Sequence, residues 1–380
     1  MTLKLLFQSL SLIFQSVTEM LELKVSPTIA EVVKTFDKKN VEFLAHWIKI
    51  RITALEVLTY IASFNDDDGD VSFQTDGEES DAMEDEETME ETDMEEVKED
   101  GINSDLELFT DFLATTNMHQ KVCAATSSPL PTDVKNLLLE NEIGQILCSL
   151  YETMVIDSYQ CITKITKIMT TSQLGAVENV KSIWVNLCRS LCSKPSNLEL
   201  AEALSRAVRT LTEKAILEES GVLDKILENV GTNDLEKLVA VYSEYNTDES
   251  SKTRANLVNI LGNFGCIATK NMLDPDCVII VTTLATWILD VVMQDVSLRV
   301  ALEGIDKLMD VFMWDYTDDL LTDLGMMNTL KELSSKLLKN RIKKEKKSLD
   351  KDDFVLASTV PQSLKNFIEE KEKKIKTTTC

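Results

Sequence analysis

Between Asp66 and Asp100 the chain carries nineteen Asp and Glu residues against one base, Lys98. The apolar side chains in that stretch are Val71, Phe73, Ala82, Val97 and three methionines, with no Leu or Ile. Such a segment cannot bury enough apolar surface to offset the entropy of ordering it, and its charges repel one another. It therefore reads as a disordered acidic loop. Helical patterning stops on one side of it and resumes on the other, so the fold has to be assembled around a segment that cannot enter the core.

The chain has 380 residues and a net charge of −26. The acidic run supplies eighteen of that excess (nineteen acids less one base), which leaves the remainder only mildly negative. Charge of this sign disfavours a nucleic-acid backbone as the main partner and favours basic proteins. Gly (11) and Pro (6) are sparse, as suits a helical chain. The eight cysteines form no CxxC pair and sit in apolar helical context, so they read as reduced, packed residues of a cytosolic or nuclear protein. No run of eighteen apolar residues is evident, so no membrane span is expected.

Leu3, Leu6, Leu10, Val17 and Leu21 recur at helical spacing near the start. Met1 opens directly on that stripe without a polar capping repeat, as the C-terminal part of a longer product would. A short helix is expected from Pro27 to Phe36 and a longer one from Asn40 to Phe64, with Arg51 the polar interruption of its apolar stripe. Beyond the run, helices are expected over residues 106–125, 133–156, 159–169, 176–192, 196–219, 222–230, 233–245, 251–269, 275–293, 297–314 and 361–370. Ser196 with Glu199 and Asn233 with Glu236 have capping-box spacing, and Gly221 and Gly231 stand where helices should end. Helix pairs recurring at roughly 40 residues, without strand alternation, indicate an all-α armadillo/HEAT-type α-solenoid interrupted by the acidic loop. The expected organisation is helical repeats over 1–65, the loop over 66–105, HEAT-like repeats over 106–330, and basic C-terminal helices and tail over 331–380.

Catalytic and metal chemistry finds little support. His46 and His119 lack Cys or carboxylate partners at ligand spacing. Phosphate-binding glycine loops and nucleophile elbows are absent, and the Asp66–Asp70 cluster places Phe64 where a calcium loop needs its first ligand. Cys188 and Cys192 share a helix face and read as packing. No cofactor, metal or enzymatic activity is expected. Concentrated negative charge accelerates encounter with basic surfaces. The candidate contacts are the carboxylates of Asp76, Glu78, Glu79, Asp81, Glu84, Asp85, Glu86, Glu87, Glu90, Glu91, Asp93, Glu95 and Glu96. Leu106, Phe109 and Phe112, just beyond them, are candidate apolar anchors. The basic run Lys339–Lys347 reads either as a localisation patch or as a solvated helix.

Four pieces in order carry a family resemblance: Ile52–Thr59 (ITALEVLT), the acidic loop, Arg254–Asn263 (RANLVNILGN), and the stretch from Ser297 (SLRVALEGID) through Asp310-Val311-Phe312 to Ser363–Ile368 (SLKNFI). This order resembles the symportin family, the HEAT-repeat-containing protein 3 group of animals. The resemblance implies an armadillo/HEAT adaptor of the cytoplasm and nucleus that chaperones two basic ribosomal proteins of the 5S particle. The acidic loop would hold uL5 (L11), its carboxylates standing in for RNA phosphates, and the N-terminal repeats would hold uL18 (L5). Most of those repeats and the import-receptor signal have no counterpart in this sequence. The alternative is a general interaction scaffold whose acidic loop is only a spacer.

Overall fold

The computed structural model describes residues 15–21, 38–64, 100–126, 130, 132–175, 177–217, 232–345 and 349–378. The acidic carboxylates up to residue 99, the expected helices at 27–36 and 222–230, and Gly221 and Gly231 lie outside that set. Residues 15–21 are helical, with Val17 and Leu21 buried as their spacing suggests. The helices that follow are α1 (Lys38–Phe64), α2 (Asp100–Thr115), α3 (Met118–Thr126), α4 (Thr132–Leu139), α5 (Glu142–Ile168), α6 (Val177–Cys192), α7 (Leu198–Leu217) and α8 (Thr232–Glu244). They continue with α9 (Ser251–Thr269), α10 (Pro275–Gln294), α11 (Leu298–Val311), α12 (Asp318–Asp323), α13 (Met326–Glu332), α14 (Leu338–Glu345) and α15 (Lys351–Thr378). A π-helical segment, Leu333–Leu337, joins α13 to α14. There is no strand among the described residues.

The packing is that of a solenoid. Helix α1 lies along α5, α5 along α7, α7 along α9, α9 along α11, and α11 along α15, which makes one row of inner helices. Helices α3 and α4 cover α5, α6 covers α7, α8 covers α9, and α10 lies on α9 and α11 as the second layer. The inner helices α5, α7, α9 and α11 begin at Glu142, Leu198, Ser251 and Leu298, a wider spacing than 40 residues. One connector that lengthens these units is the 3-10 turn Asp248–Ser250.

Helix α9 is the hinge between two core clusters. Its Leu257, Ile260, Leu261 and Phe264 belong to the cluster running back to α1, while Ala255, Val258 and Ala268 belong to the one reaching α15. Every residue from Thr253 to Gly265 is buried. Close approach explains two of its glycines: a Cβ at Gly262 would sit 2.5 Å from the Cβ of Lys307, and one at Gly265 2.9 Å from Val311 Cγ2. The α11 stripe Leu298, Ala301, Ile305, Leu308 and Phe312 is fully buried. Shortening one of its large members to Ala would cost about 2–5 kcal/mol.

The buried guanidinium of Arg254 is paired on all three of its nitrogens. Arg254 forms a two-pronged ion pair with Asp295, Nε to Oδ2 at 2.7 Å and Nη2 to Oδ1 at 3.0 Å. Its Nη1 donates to the carbonyls of Tyr245 (2.8 Å) and Thr247 and to Ser250 Oγ. The Tyr242 hydroxyl and the Ser297 amide also donate to Asp295. Burial alone would raise the Asp295 carboxyl, but these donors outweigh it and hold it below the usual range. One side chain thus ties the α8–α9 connector to the α10–α11 connector.

Several boundaries differ from the sequence expectation, each for a local reason. The break expected near residues 156–159 is absent. It falls instead at Asn141, whose side chain accepts from the Gly144 amide at 2.7 Å and caps α5. A Cβ on Gly144 would lie 2.0 Å from the Leu138 carbonyl oxygen, so α4 turns into α5 only because that residue is glycine. The cap of α7 is Asn197, not Ser196, with its Oδ1 accepting from the amides of Glu199 and Leu200. Helix α8 already includes Asn233 in its first turn. Pro361 does not begin a helix but lies inside α15. Ala357, Val360, Leu364 and Ile368 form one buried stripe across it, and that packing outweighs the hydrogen bond proline removes. Helix α2 starts at Asp100, within the stretch assigned to the loop.

Among the described residues one helix, α10, is long and apolar enough by length and composition to cross a membrane, although Asp276, Asp290 and three threonines keep it from being an unbroken apolar run. Its Val281, Leu284, Ala285, Ile288, Val291 and Val292 are buried where it packs on both α9 and α11, while Ile279 and Met293 are exposed.

Candidate functional site: a carboxylate-lined inner face

Helices α5, α7 and α11 bury most of their circumference and each leaves a polar stripe at three- and four-residue spacing. On α5 the stripe is Thr153, Asp157, Gln160, Lys164 and Lys167; on α7 it is Glu199, Glu202, Arg206, Arg209 and Glu213. On α11 it is Arg299, Glu303, Asp306 and Asp310, the glutamate the most deeply placed. The stripes join sideways. Lys252 of α9 reaches Glu202 at 4.0 Å, Asn256 donates to Ser205 at 3.0 Å, and Arg209 pairs with Glu303 at 2.8 Å. Asn259 donates to Glu303 and Asn263 to Asn259, a relay of amides beneath the surface of α9.

Where α1, α5 and α7 meet, three carboxylates gather, while Lys164 and Lys167 continue the same α5 stripe. Asp157 is pushed up to about 6, first by burial and then by the negative charges of Glu56 on α1 and Glu199 on α7. Its Oδ2 is buried without a hydrogen-bond partner. At the other end, burial and the neighbouring Asp310 raise Asp306 as well. A folded chain that gathers like charges spends stability on them, which makes this group of carboxylates a candidate site. Helix α1, which brings Glu56 to this cluster, also runs directly into the acidic segment at its C-terminal end.

The described residues hold no group of three or more His, Cys, Asp or Glu able to hold a metal. Burial pushes the thiols of Cys123, Cys161 and Cys266 up to about 12 and raises Cys188 well above its usual value. These are unreactive packing residues, and no disulfide joins the described cysteines. His46 is exposed on α1, while His119 is buried and lowered by that burial. Arg51 lies over the Trp47 ring at 4.1 Å and donates to the Leu21 carbonyl at 2.8 Å.

Of the contacts expected from sequence, the thirteen carboxylates from Asp76 to Glu96 lie outside the described residues, as does the side chain of Leu106. Phe109 is buried in the core, and Phe112 is half-buried against it. On the basic patch, Lys339, Lys343 and Lys344 are exposed. The inner-face carboxylates Glu56, Asp157, Glu199 and Asp306 were not singled out from the sequence. Their helical spacing was legible as a polar stripe, but their convergence depends on which helices become neighbours.

Residues 107–375 match the profile described as "SYO1-like, TPR repeats", which is most of the chain. The chain belongs to the SYO1-like family. Curated relatives include HEAT repeat-containing protein 3 of Mus musculus, 25% identical over 258 residues, covering 67% of this chain and 36% of that protein. HEAT repeat-containing protein 3 of Homo sapiens is 24% identical over 217 residues, covering 56% of this chain and 30% of that protein. The aligned region thus spans about a third of these relatives' length. TPR and HEAT both denote stacked helix pairs, in keeping with the inner and outer layers of this SYO1-like solenoid.

Proposed function

We propose that the chain is a non-enzymatic adaptor that binds a basic ribosomal protein of the 5S particle, uL5 (L11), for nuclear import and large-subunit assembly. The observation that carries this reading is the placement of charge. Nineteen carboxylates follow α1, and α1 itself contributes Glu56 to the group of three carboxylates on the inner face. Membership of the SYO1-like family and the similarity to HEAT repeat-containing protein 3 support an adaptor rather than an enzyme.

In this reading the solenoid supplies a fixed shape and the acidic segment a dense but adaptable charge. The client's RNA-binding surface meets carboxylates in place of phosphates. Long-range attraction speeds the encounter, and the inner face gives the client a defined seat. The protein would then work in both cytoplasm and nucleus, releasing its client where RNA takes over. A direct test is competition: purified uL5 bound to the chain is challenged with 5S RNA and resolved by gel filtration. RNA that displaces the chain supports the mimicry; a stable three-way complex overturns it.

A further inference from the structure

After α11 the chain exposes three large apolar side chains in a row of four residues: Met313, Trp314 and Tyr316 are 55%, 48% and 54% exposed. The Trp314 and Tyr316 rings are stacked, with centroids 6.2 Å apart and planes 5° from parallel. This shelf is held from beneath. Lys371 of α15, only 2% exposed, donates to the carbonyls of Met313 and Trp314 at 3.2 Å each and to Asp318. Lys374 of the same helix pairs with Asp315, and the Thr317 hydroxyl donates to the Trp314 carbonyl at 2.6 Å. A buried ammonium committed to three acceptors of one loop fixes the backbone while leaving both rings in water. Asp319 and Asp323, both exposed, lie a few residues further on.

We propose that this shelf binds an arginine side chain of a partner protein. A guanidinium is planar, is weakly hydrated, and stacks on aromatic faces, whereas an ammonium is held more tightly by water. Asp315 and Asp318 are engaged by Lys374 and Lys371, so the exposed Asp319 and Asp323 of α12 are the carboxylates that would meet the guanidinium. The chain uses the same pairing internally, where Arg51 lies over Trp47 at 4.1 Å. The inference goes beyond the function proposed above: a polyanion attracts lysine and arginine alike, but this shelf selects arginine. It also lies at the α15 end of the solenoid, away from Glu56 and Asp157.

Trp314 is the most exposed of the four tryptophans, so its fluorescence reports on the shelf. The full chain is titrated with short peptides of alternating Gly and Arg, and separately Gly and Lys. The buffer holds about 0.5 M salt, where the Debye length of about 4 Å suppresses diffuse attraction. The arginine peptide should bind roughly three- to tenfold more tightly and quench the emission. Trp314→Ala and Tyr316→Ala should each abolish the preference, and Tyr316→Phe should keep it, with the thermal transition unchanged in all three. Equal binding of the two peptides, or a preference that survives Trp314→Ala, overturns the proposal. So does self-association lost in Trp314→Ala, which would make a second copy the occupant. None of these outcomes depends on whether uL5 binds.

Discussion

Replacing Asp157 by Asn should stabilise this protein at neutral pH while weakening its hold on a basic ligand. The carboxyl is raised from the ordinary 3.8 to about 6 by burial and by Glu56 and Glu199. At about 1.4 kcal/mol per pH unit, the full cost of keeping it ionised is about 3 kcal/mol. The side chain is only half-buried, so solvent screening reduces this to about 1–2 kcal/mol. An acid with a raised folded value binds extra proton in the folded state between about pH 4 and pH 6. Stability therefore falls as pH rises through that window, and the penalty is complete above it. Asp157→Asn should accordingly gain about 1–2 kcal/mol at pH 7.5 and almost nothing at pH 4. Urea titrations followed by circular dichroism at the two pH values measure this. The same variant should bind a lysine- and arginine-rich peptide less tightly, because the charge that is costly in the free protein is what the ligand neutralises. A variant that is less stable at pH 7.5, or equally stabilised at both, would refute the argument.

Removing one partner of the Arg254–Asp295 pair leaves a buried charge, so Arg254→Ala should cost about 3–5 kcal/mol in urea denaturation. The double change Arg254→Met with Asp295→Leu should recover much of that loss, since neither charge then remains. Cys123, Cys161, Cys188 and Cys266 should resist a thiol reagent at pH 8 in the native protein and react fully in denaturant, as mass spectrometry would show. His119 has a lowered folded value, so the unfolded chain takes up its proton first; stability should drop as pH falls below about 6.5, and His119→Gln should flatten that slope in thermal melts.

Much of the fold was readable before any coordinates. Ser251–Thr269 and the start of α10 at Pro275 have the bounds their patterns suggest, and the α11 stripe is buried as its spacing requires. What could not be read were local choices decided by tertiary packing. Asn141 stops a helix where its side chain can reach the Gly144 amide, whereas Pro361 does not, because its neighbours form an unbroken core stripe. The same limit applies to function. Asp157 gains its meaning from Glu56 and Glu199, which are far from it in the chain and adjacent only once α1, α5 and α7 are stacked. Arg51, a polar interruption in a helical pattern, turns out to bridge residues 15–21 to α1 through the Leu21 carbonyl.

The central claim is that concentrated carboxylate charge on a rigid solenoid holds a basic client. It is tested most directly by measuring uL5 binding over a salt series, with the full chain and with residues 66–100 deleted. The account predicts affinity that falls steeply with salt and is largely lost on deletion. Affinity that ignores salt and survives the deletion would make the acidic segment a spacer and contradict the account.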